Sequence, residues 1–451
     1  MNLEEPKKQR WLNARVIAWG LFDLGITIFS MNIISRYFGP WVIDEKHGSE
    51  FIFNLSWSIS IFIAAILQVL LSPISDELGR RRVFVVCFTM LCVAACSLIG
   101  MAPTLFMGLA LFALANIGYQ VATVFYYAML GDVTDERHKG RISGVGVGLG
   151  YVGSITGLLV SQKFVDPSKN SYSDIFGITA SLVFVFSLPL FFFVKERPGL
   201  VHFNLAESLR NSIGSFLITL RRVRSHPTMF FFFLGCLLAL DGVETVVVNM
   251  SLYCDKVVGL DKSAGVVIPL VWKSRELFRF TVSEINFFLI VSTFFAVFGA
   301  FIIGHIADKT DRYKTLLGVI IVWMIALVLA MFSVQSDHRI RHKLFFCITG
   351  PLFGIGFGGI WTVGRAYLLD ICHPEERSQM FALFGLVGRG AAILGPLVWA
   401  FVFKLSELSE NYLHLGERKT YRLALLAIFI LVSFGFLILL RAKPKKEKAF
   451  R

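Results

Sequence analysis

Apolar residues in this chain gather in long unbroken runs, and polar residues crowd into the short intervals between them. A run of about 20 apolar residues crosses the hydrocarbon core of a bilayer as one α-helix. Twelve such runs stand at residues 14–35, 52–74, 83–102, 104–130, 142–162, 175–194, 229–252, 285–306, 315–335, 343–370, 379–403 and 422–440. They predict an all-α membrane protein with twelve transmembrane helices in two six-helix bundles, residues 1–194 and 229–451. The interval 195–228 joins the bundles. Within it Phe203, Leu205, Leu209, Ile213, Phe216, Leu217 and Leu220 recur at helical spacing ahead of "RRVR". That pattern predicts an amphipathic helix lying on the membrane surface as a strap between the halves.

Charge sets the orientation, because cytoplasmic loops carry the excess of Lys and Arg. The richer set of intervals holds Lys7, Lys8, Arg80, Arg81, Arg82, Arg137, Lys139, Arg141, Lys309, Arg312 and the tail "RAKPKKEK". An even number of spans puts both termini on that side, so both are expected in the cytoplasm, with a bacterial inner membrane as the location. No cleavable signal peptide is expected ahead of the first span. Of 451 residues, 55% are hydrophobic and 17% charged, against about 25% charged in soluble domains. The net charge of +13 is dispersed over short loops, so it reads as a topology signal, and no nucleic-acid partner is expected. The seven Cys lie mostly inside apolar runs, without metal-ligand or disulfide spacing. Neither a metal nor a cofactor is expected.

The stretch "GVGVGLGYVG" contains Gly148-Leu149-Gly150-Tyr151-Val152-Gly153, which fits the dinucleotide fingerprint G-x-G-x-x-G, with Asp174 further on. That fingerprint needs a strand before it and a soluble βαβ unit around it. Here a charged loop precedes it and apolar sequence follows. Gly144 with Gly148, Gly146 with Gly150, and Gly153 with Gly157 are spaced by four. Small residues at that spacing let helix backbones approach closely in a membrane. The glycines predict a tightly packed fifth helix.

The chain also repeats itself. "SPISDELGRRR" follows the second run and "GHIADKTDRYK" the eighth, matching Asp76 with Asp308 and Arg80 with Arg312. "GDVTDERHKGR" follows the fourth and "LDICHPEERSQ" the tenth; Asp23 with Thr27 in the first run echoes Asp241 with Thr245 in the seventh. Six spans, a connector and six spans describe a parallel repeat of two bundles. The two Asp loops resemble the G-x-x-x-D-x-x-G-R-[RK] motif of the major facilitator superfamily, with Ser72 and Asp311 departing from its glycines. More narrowly, "AWGLFDLGITIF", "RISGVGVGLGYVGS", "LDGVETVVVNMSLY" and "ERSQMFALFGLVGRGAAILGPLVW" resemble the UMF1 family, bacterial relatives of the yeast vacuolar amino-acid effluxer. One departure is the long connection "CDKVVGLDKSAGVVIPLVWKSRELFRFTVSE" between the seventh and eighth runs.

The resemblance implies a secondary transporter whose spans one, four, seven and ten line a central cavity. Ionisable groups deep in a span are costly and usually face a partner or a wet cavity. The candidates are Asp23, Asp241, Glu244, Arg365 and Arg389, joined by Asn116 and Gln120 on the fourth span. An Arg on a carboxylate and an acid on an ammonium would hold a zwitterion. Asp241 and Glu244 lie one turn apart, and two carboxylates so close resist ionising together; one is a candidate proton carrier. Their alternative role is to pair with one another and hold helices together. Asp76, Arg80, Asp132, Arg141, Asp308, Arg312, Asp370 and Arg377 are candidate gating-loop residues, with Asp76 expected to bond across the seam between the halves. The expected partners are a small-molecule substrate and the lipid bilayer, and a monomer is expected. A lipid or lysolipid flippase on the same fold is the alternative. A membrane-embedded enzyme is disfavoured, because no H-E-x-x-H or suitably placed G-x-S-x-G occurs. A receptor would need a soluble relay domain, and no Walker A sequence suggests ATP as the driver.

Overall fold

The structure, a computed structural model, describes residues 14–78, 80–129, 133, 139–164, 172–194, 214, 221, 223–260, 265–272, 275–332, 339–372, 377–413 and 416–443. Each predicted span corresponds to a long helix. The first half holds α1 (Ala14–Phe29), α2 (Glu50–Leu78), α3 (Arg81–Ile99), α4 (Leu105–Ala128), α5 (Lys139–Ser161) and α6 (Asp174–Phe193). The second holds α7 (Pro227–Tyr253), α8 (Glu284–Lys309), α9 (Arg312–Phe332), α10 (Arg339–Ile371), α11 (Arg377–Leu413) and α12 (Glu417–Leu439). Among the described residues, eleven helices are long and apolar enough to cross a membrane. The twelfth, α5, is diluted by glycine and serine, so the expected twelve spans are twelve helices of which eleven carry the full apolar signature.

Two helices outrun their predicted ends. α1 continues through π-helical turns at Ser30–Tyr37 and Trp41–Glu45, joined by one α-turn at Phe38–Pro40. α7 continues through the π-helical turn Cys254–Val258 and stops at Gly259, whose φ of 69° is left-handed. Pro227 opens α7 at a position where its missing N–H costs nothing. Pro396 sits inside α11, and the backbone leaves helical geometry four residues earlier, at Ala392.

The helix packing repeats between halves. α1 packs on α5 and α6 as α7 packs on α11 and α12; α4 packs on α2 and α3 as α10 packs on α8 and α9. The halves meet where α2 runs along α11 and α5 touches α8. The near end is defined as the one where α1 begins and α12 finishes; the opposite end is the far end.

The all-α expectation fails locally in the long connection after α7. Strands β1 (Gly265–Trp272) and β2 (Arg275–Ser283) form an antiparallel hairpin, with a bulge between Leu270 and Val271. Ser283 ends β2 and caps α8, its hydroxyl accepting from the Asn286 N–H at 3.3 Å. The amphipathic helix expected in the connector lies outside the described residues.

Candidate functional site

Two equivalent constellations sit inside the two halves. In the first, Asp23 on α1 is 5% exposed, and the Thr27 hydroxyl one turn on donates to its backbone carbonyl. A Cβ on Gly150 of α5 would come within 3.2 Å of the Asp23 carboxylate. In the second, Asp241 on α7 is fully buried, and the Thr245 hydroxyl donates to its carbonyl at 2.6 Å. A Cβ on Gly395 of α11, just past the kink at Ala392, would overlap the Thr245 hydroxyl and reach 2.9 Å from the Asp241 carbonyl. The Asp-x-x-x-Thr echo therefore meets a glycine on the partner helix in both halves. Both Asp241 carboxylate oxygens are buried, and the backbone amides of Leu394 and Gly395, just past the α11 kink, approach the carboxylate. A carboxyl group buried in this way is costly unless it carries a proton or meets a cation.

The other sequence candidates divide. Glu244 is half-buried, one turn beyond Asp241. Arg365 on α10 is exposed and lies over the Trp361 ring at 5.9 Å. Tyr151 on α5 lies within electrostatic range of both Asp23 and Arg365, so an acid of one half and a cation of the other share a neighbour. Asn116 is fully buried and donates to the Ser60 hydroxyl at 2.7 Å, which ties α4 to α2. Gln120 is half-buried, and its backbone carbonyl accepts from Gln68 at 3.2 Å. The Arg389 side chain lies outside the described residues.

The glycine stripe is real, but Gly148 is not a member of it. Gly146 faces Trp19, Gly153 the backbone of Leu24, and Gly157 Asn32 and Ile28, so with Gly150 they pave the α1–α5 contact. Gly148 faces open space. Spaced by three and four, the other glycines share one face, and Gly148 lies off it.

At the far end, side chains stitch the halves together. Arg36, at the π-helical end of α1, donates from Nε to Asn286 Oδ1 at 2.7 Å and from a terminal nitrogen to the Ser251 hydroxyl at 3.0 Å. Its guanidinium also lies 4.7 Å from the Tyr37 ring centre. Asn54 and Asn249 exchange amide hydrogen bonds at 3.1 and 3.0 Å. The Tyr421 hydroxyl donates to the Glu50 carboxylate, and Lys256 pairs with Asp44 at 2.8 Å. Deeper in the seam, the Ser58 hydroxyl donates to the Ile393 carbonyl at 3.1 Å. Sequence reasoning missed Arg36, Glu50, Asn54, Asn249 and Tyr421. The available signal was a lone Arg in the otherwise uncharged stretch "NIISRYFGPW".

At the near end, several described arginines hold partners within their own half. Arg81 donates to the Ala128 carbonyl and Arg82 to the Val194 carbonyl, both at 3.1 Å, gripping the last turns of α4 and α6. Arg312 pairs with Asp370 at 2.6 Å and with Asp308 at 3.4 Å. The second copy of the Asp loop thus ties α8, α9 and α10 of one half, where a seam-crossing bond was expected for the motif. Arg80 is exposed at the start of α3. Asp132, and the side chains of Asp76, Arg141 and Arg377, lie outside the described residues.

The sequence pattern of the family described as vacuole effluxer Atg22 like matches residues 41–449. YxiO of Bacillus subtilis, an uncharacterized MFS-type transporter, is 27% identical and aligns over 94% of this chain and 93% of its own. Autophagy-related protein 22 of Kluyveromyces lactis is 21% identical over 89% of this chain and 81% of its own. Among solved structures, the nucleoside transporter NupG matches with a TM-score of 0.69 at 14% identity, covering 96% of this chain and all 100% of NupG. A bacterial homolog of the human lysosomal transporter Spinster matches with a TM-score of 0.68 at 13% identity, covering 98% of this chain and 100% of that one. These structural likenesses establish a shared fold.

Proposed function

This chain belongs to the vacuole effluxer Atg22-like family and is a transporter of the MFS type, and we propose that it moves small organic solutes, α-amino acids first among them, by alternating access between its two halves. The observation that carries the proposal is the far-end seam, closed by side-chain bonds between the two halves. There Arg36, Asn54, Glu50 and Asp44 of the first half bond to partners in the second, through side chains that can part without disrupting either bundle. A rocking motion about the α2–α11 and α5–α8 contacts would open either end as the other closes.

The solute sits between the halves, with its carboxylate on Arg365 and its ammonium on Asp23, close to Tyr151. Asp241 carries the coupling proton: its carboxyl group is fully buried inside the second half, where the ionised form is costly. Glu244, half-buried one turn away, faces the solute. Both termini are cytoplasmic by the Lys and Arg excess, which makes the far end face away from the cytoplasm. Accumulation and exchange of a pooled amino-acid mixture in proteoliposomes, with and without a pH gradient, test this function. Uptake driven by the gradient is expected. A protein that exchanges no member of the pool would sink the amino-acid assignment.

A further inference from the structure

Helix α11 breaks inside its span, and its counterpart α5 does not. Pro396 has no N–H for the Ala392 carbonyl, and Ala392 sits at φ −89°, ψ 18°, off helical geometry. α5, which holds the equivalent place in the first half, runs unbroken from Lys139 to Ser161. The repeated packing therefore does not require the break.

Just past the break, one peptide unit meets two partners. Its carbonyl, that of Ile393, accepts from the Ser58 hydroxyl of α2, in the other half, at 3.1 Å. Its N–H, that of Leu394, approaches the Asp241 carboxylate of α7, as does the N–H of Gly395. Glycine at 395 is what lets α7 come so close, since a Cβ there would fall on the Thr245 hydroxyl. Amides that open a helical segment favour a negative charge beside them. Ser58 and Asp241 are both buried. Among the described residues, Glu244 is the charged side chain that acts on Asp241, and α12 meets the adjacent Gly242 with Ile428 and Val432.

A peptide unit is planar, so its carbonyl and its N–H cannot be re-aimed separately. Ionised, Asp241 draws the Leu394 N–H by a charge-assisted bond, roughly twice as strong as a neutral one. That attraction holds the plane with the Ile393 carbonyl aimed at Ser58. A protonated carboxyl group loses most of it. The plane can then turn, and the carbonyl leaves the Ser58 hydroxyl.

We infer that the Ile393–Leu394 peptide is a relay that reports the protonation of Asp241 to the seam, with Ser58 as its contact in the first half. Ionised Asp241 keeps the halves bonded where α2 runs along α11, and the neutral form releases them. The relay rests on the proposed proton role of Asp241 and adds how a charge inside one half is read by the other.

The test is a double-mutant cycle on far-end opening at alkaline pH. Opening is read as the rate at which a membrane-impermeant maleimide labels Leu252→Cys from the far side, with Cys87, Cys254 and Cys347 replaced by serine. Leu252 is fully buried against Gly39 of the other half. Asp241→Asn imitates the protonated group, and Ser58→Ala removes the hydroxyl. Each should raise the rate roughly two- to tenfold, the worth of one hydrogen bond. Because both act through one peptide, the double variant should label no faster than the faster single. Asp241→Ser, also uncharged, supplies a second neutral arm should the asparagine variant fold poorly. Ser58→Thr keeps a hydroxyl and should keep the wild-type rate. Tyr421→Phe removes a separate seam bond, to Glu50, and its factor should multiply with that of Asp241→Asn. The relay is refuted if the Ser58→Ala and Asp241→Asn factors multiply, or if either single variant leaves the rate unchanged. The proton role of Asp241 is decided separately, by accumulation under a pH gradient, so the relay can fail while that role stands.

Discussion

Asn249→Ala should shift the protein toward a state open at the far end. The Asn54–Asn249 pair contributes two hydrogen bonds, at 3.1 and 3.0 Å, between buried groups of opposite halves. Both exist only while the seam is closed, so their loss destabilises the closed state alone. At a net of about 0.5–1.5 kcal/mol per bond, the shift is about 1–3 kcal/mol, roughly a 5- to 150-fold change in the closed-to-open ratio. The reporter is Leu252→Cys. Leu252 is fully buried, with its side chain against Gly39 of the other half. The exposed Cys87 and Cys347, and Cys254 buried at the same seam, are replaced by serine so that the reporter reacts alone. A membrane-impermeant maleimide added at the far side should label the Asn249→Ala protein faster by that factor. Ser292→Ala, which removes only a bond to the Phe288 carbonyl within α8, should leave the rate unchanged. A change under about twofold for Asn249→Ala, or an equal rise for the control, would refute the reasoning.

The interior supplies two more tests. Gly153→Leu should cost about 1–3 kcal/mol or more of stability, because its Cβ falls on the Leu24 backbone, whereas Gly148→Leu should stay within about 0.5 kcal/mol; thermal unfolding in detergent separates them, and equal losses would contradict the assigned stripe. Asp241→Asn should abolish accumulation driven by a pH gradient while sparing exchange between equal pools, and Glu244→Gln should weaken both by more than about tenfold; identical behaviour of the two variants in both assays would remove the proton role from Asp241.

The helices were legible because length and apolar continuity encode a span directly, but their ends were not. Gly39-Pro40 reads as a stop after residue 35, yet π-helical turns carry α1 through it to Glu45. That is why Arg36 reads as a loop charge in the sequence when it is a seam residue. The hairpin after α7 was hidden by Pro269, which argues against a strand interior, although both strands of a two-stranded sheet are edges that tolerate it. The echo of Asp23–Thr27 in Asp241–Thr245 was visible in the sequence. Their glycine partners, Gly150 and Gly395, were not, because pairing residues that far apart takes the repeated α1–α5 and α7–α11 packing. The seam was illegible for a similar reason. Asn54, Asn249 and Tyr421 are ordinary polar residues in apolar runs until two halves are closed upon one another.

The most direct measurement is to lock that closure. Asn54→Cys with Asn249→Cys, in the background lacking Cys87, Cys254 and Cys347, places two thiols where the amides now exchange hydrogen bonds across the halves. The pair is joined by oxidation or a short bifunctional thiosulfonate, and solute counterflow is followed in proteoliposomes before joining, after joining and after reduction. Alternating access predicts that joining stops counterflow and that reduction restores it. A joined protein that still moves solute at the unjoined rate would contradict it.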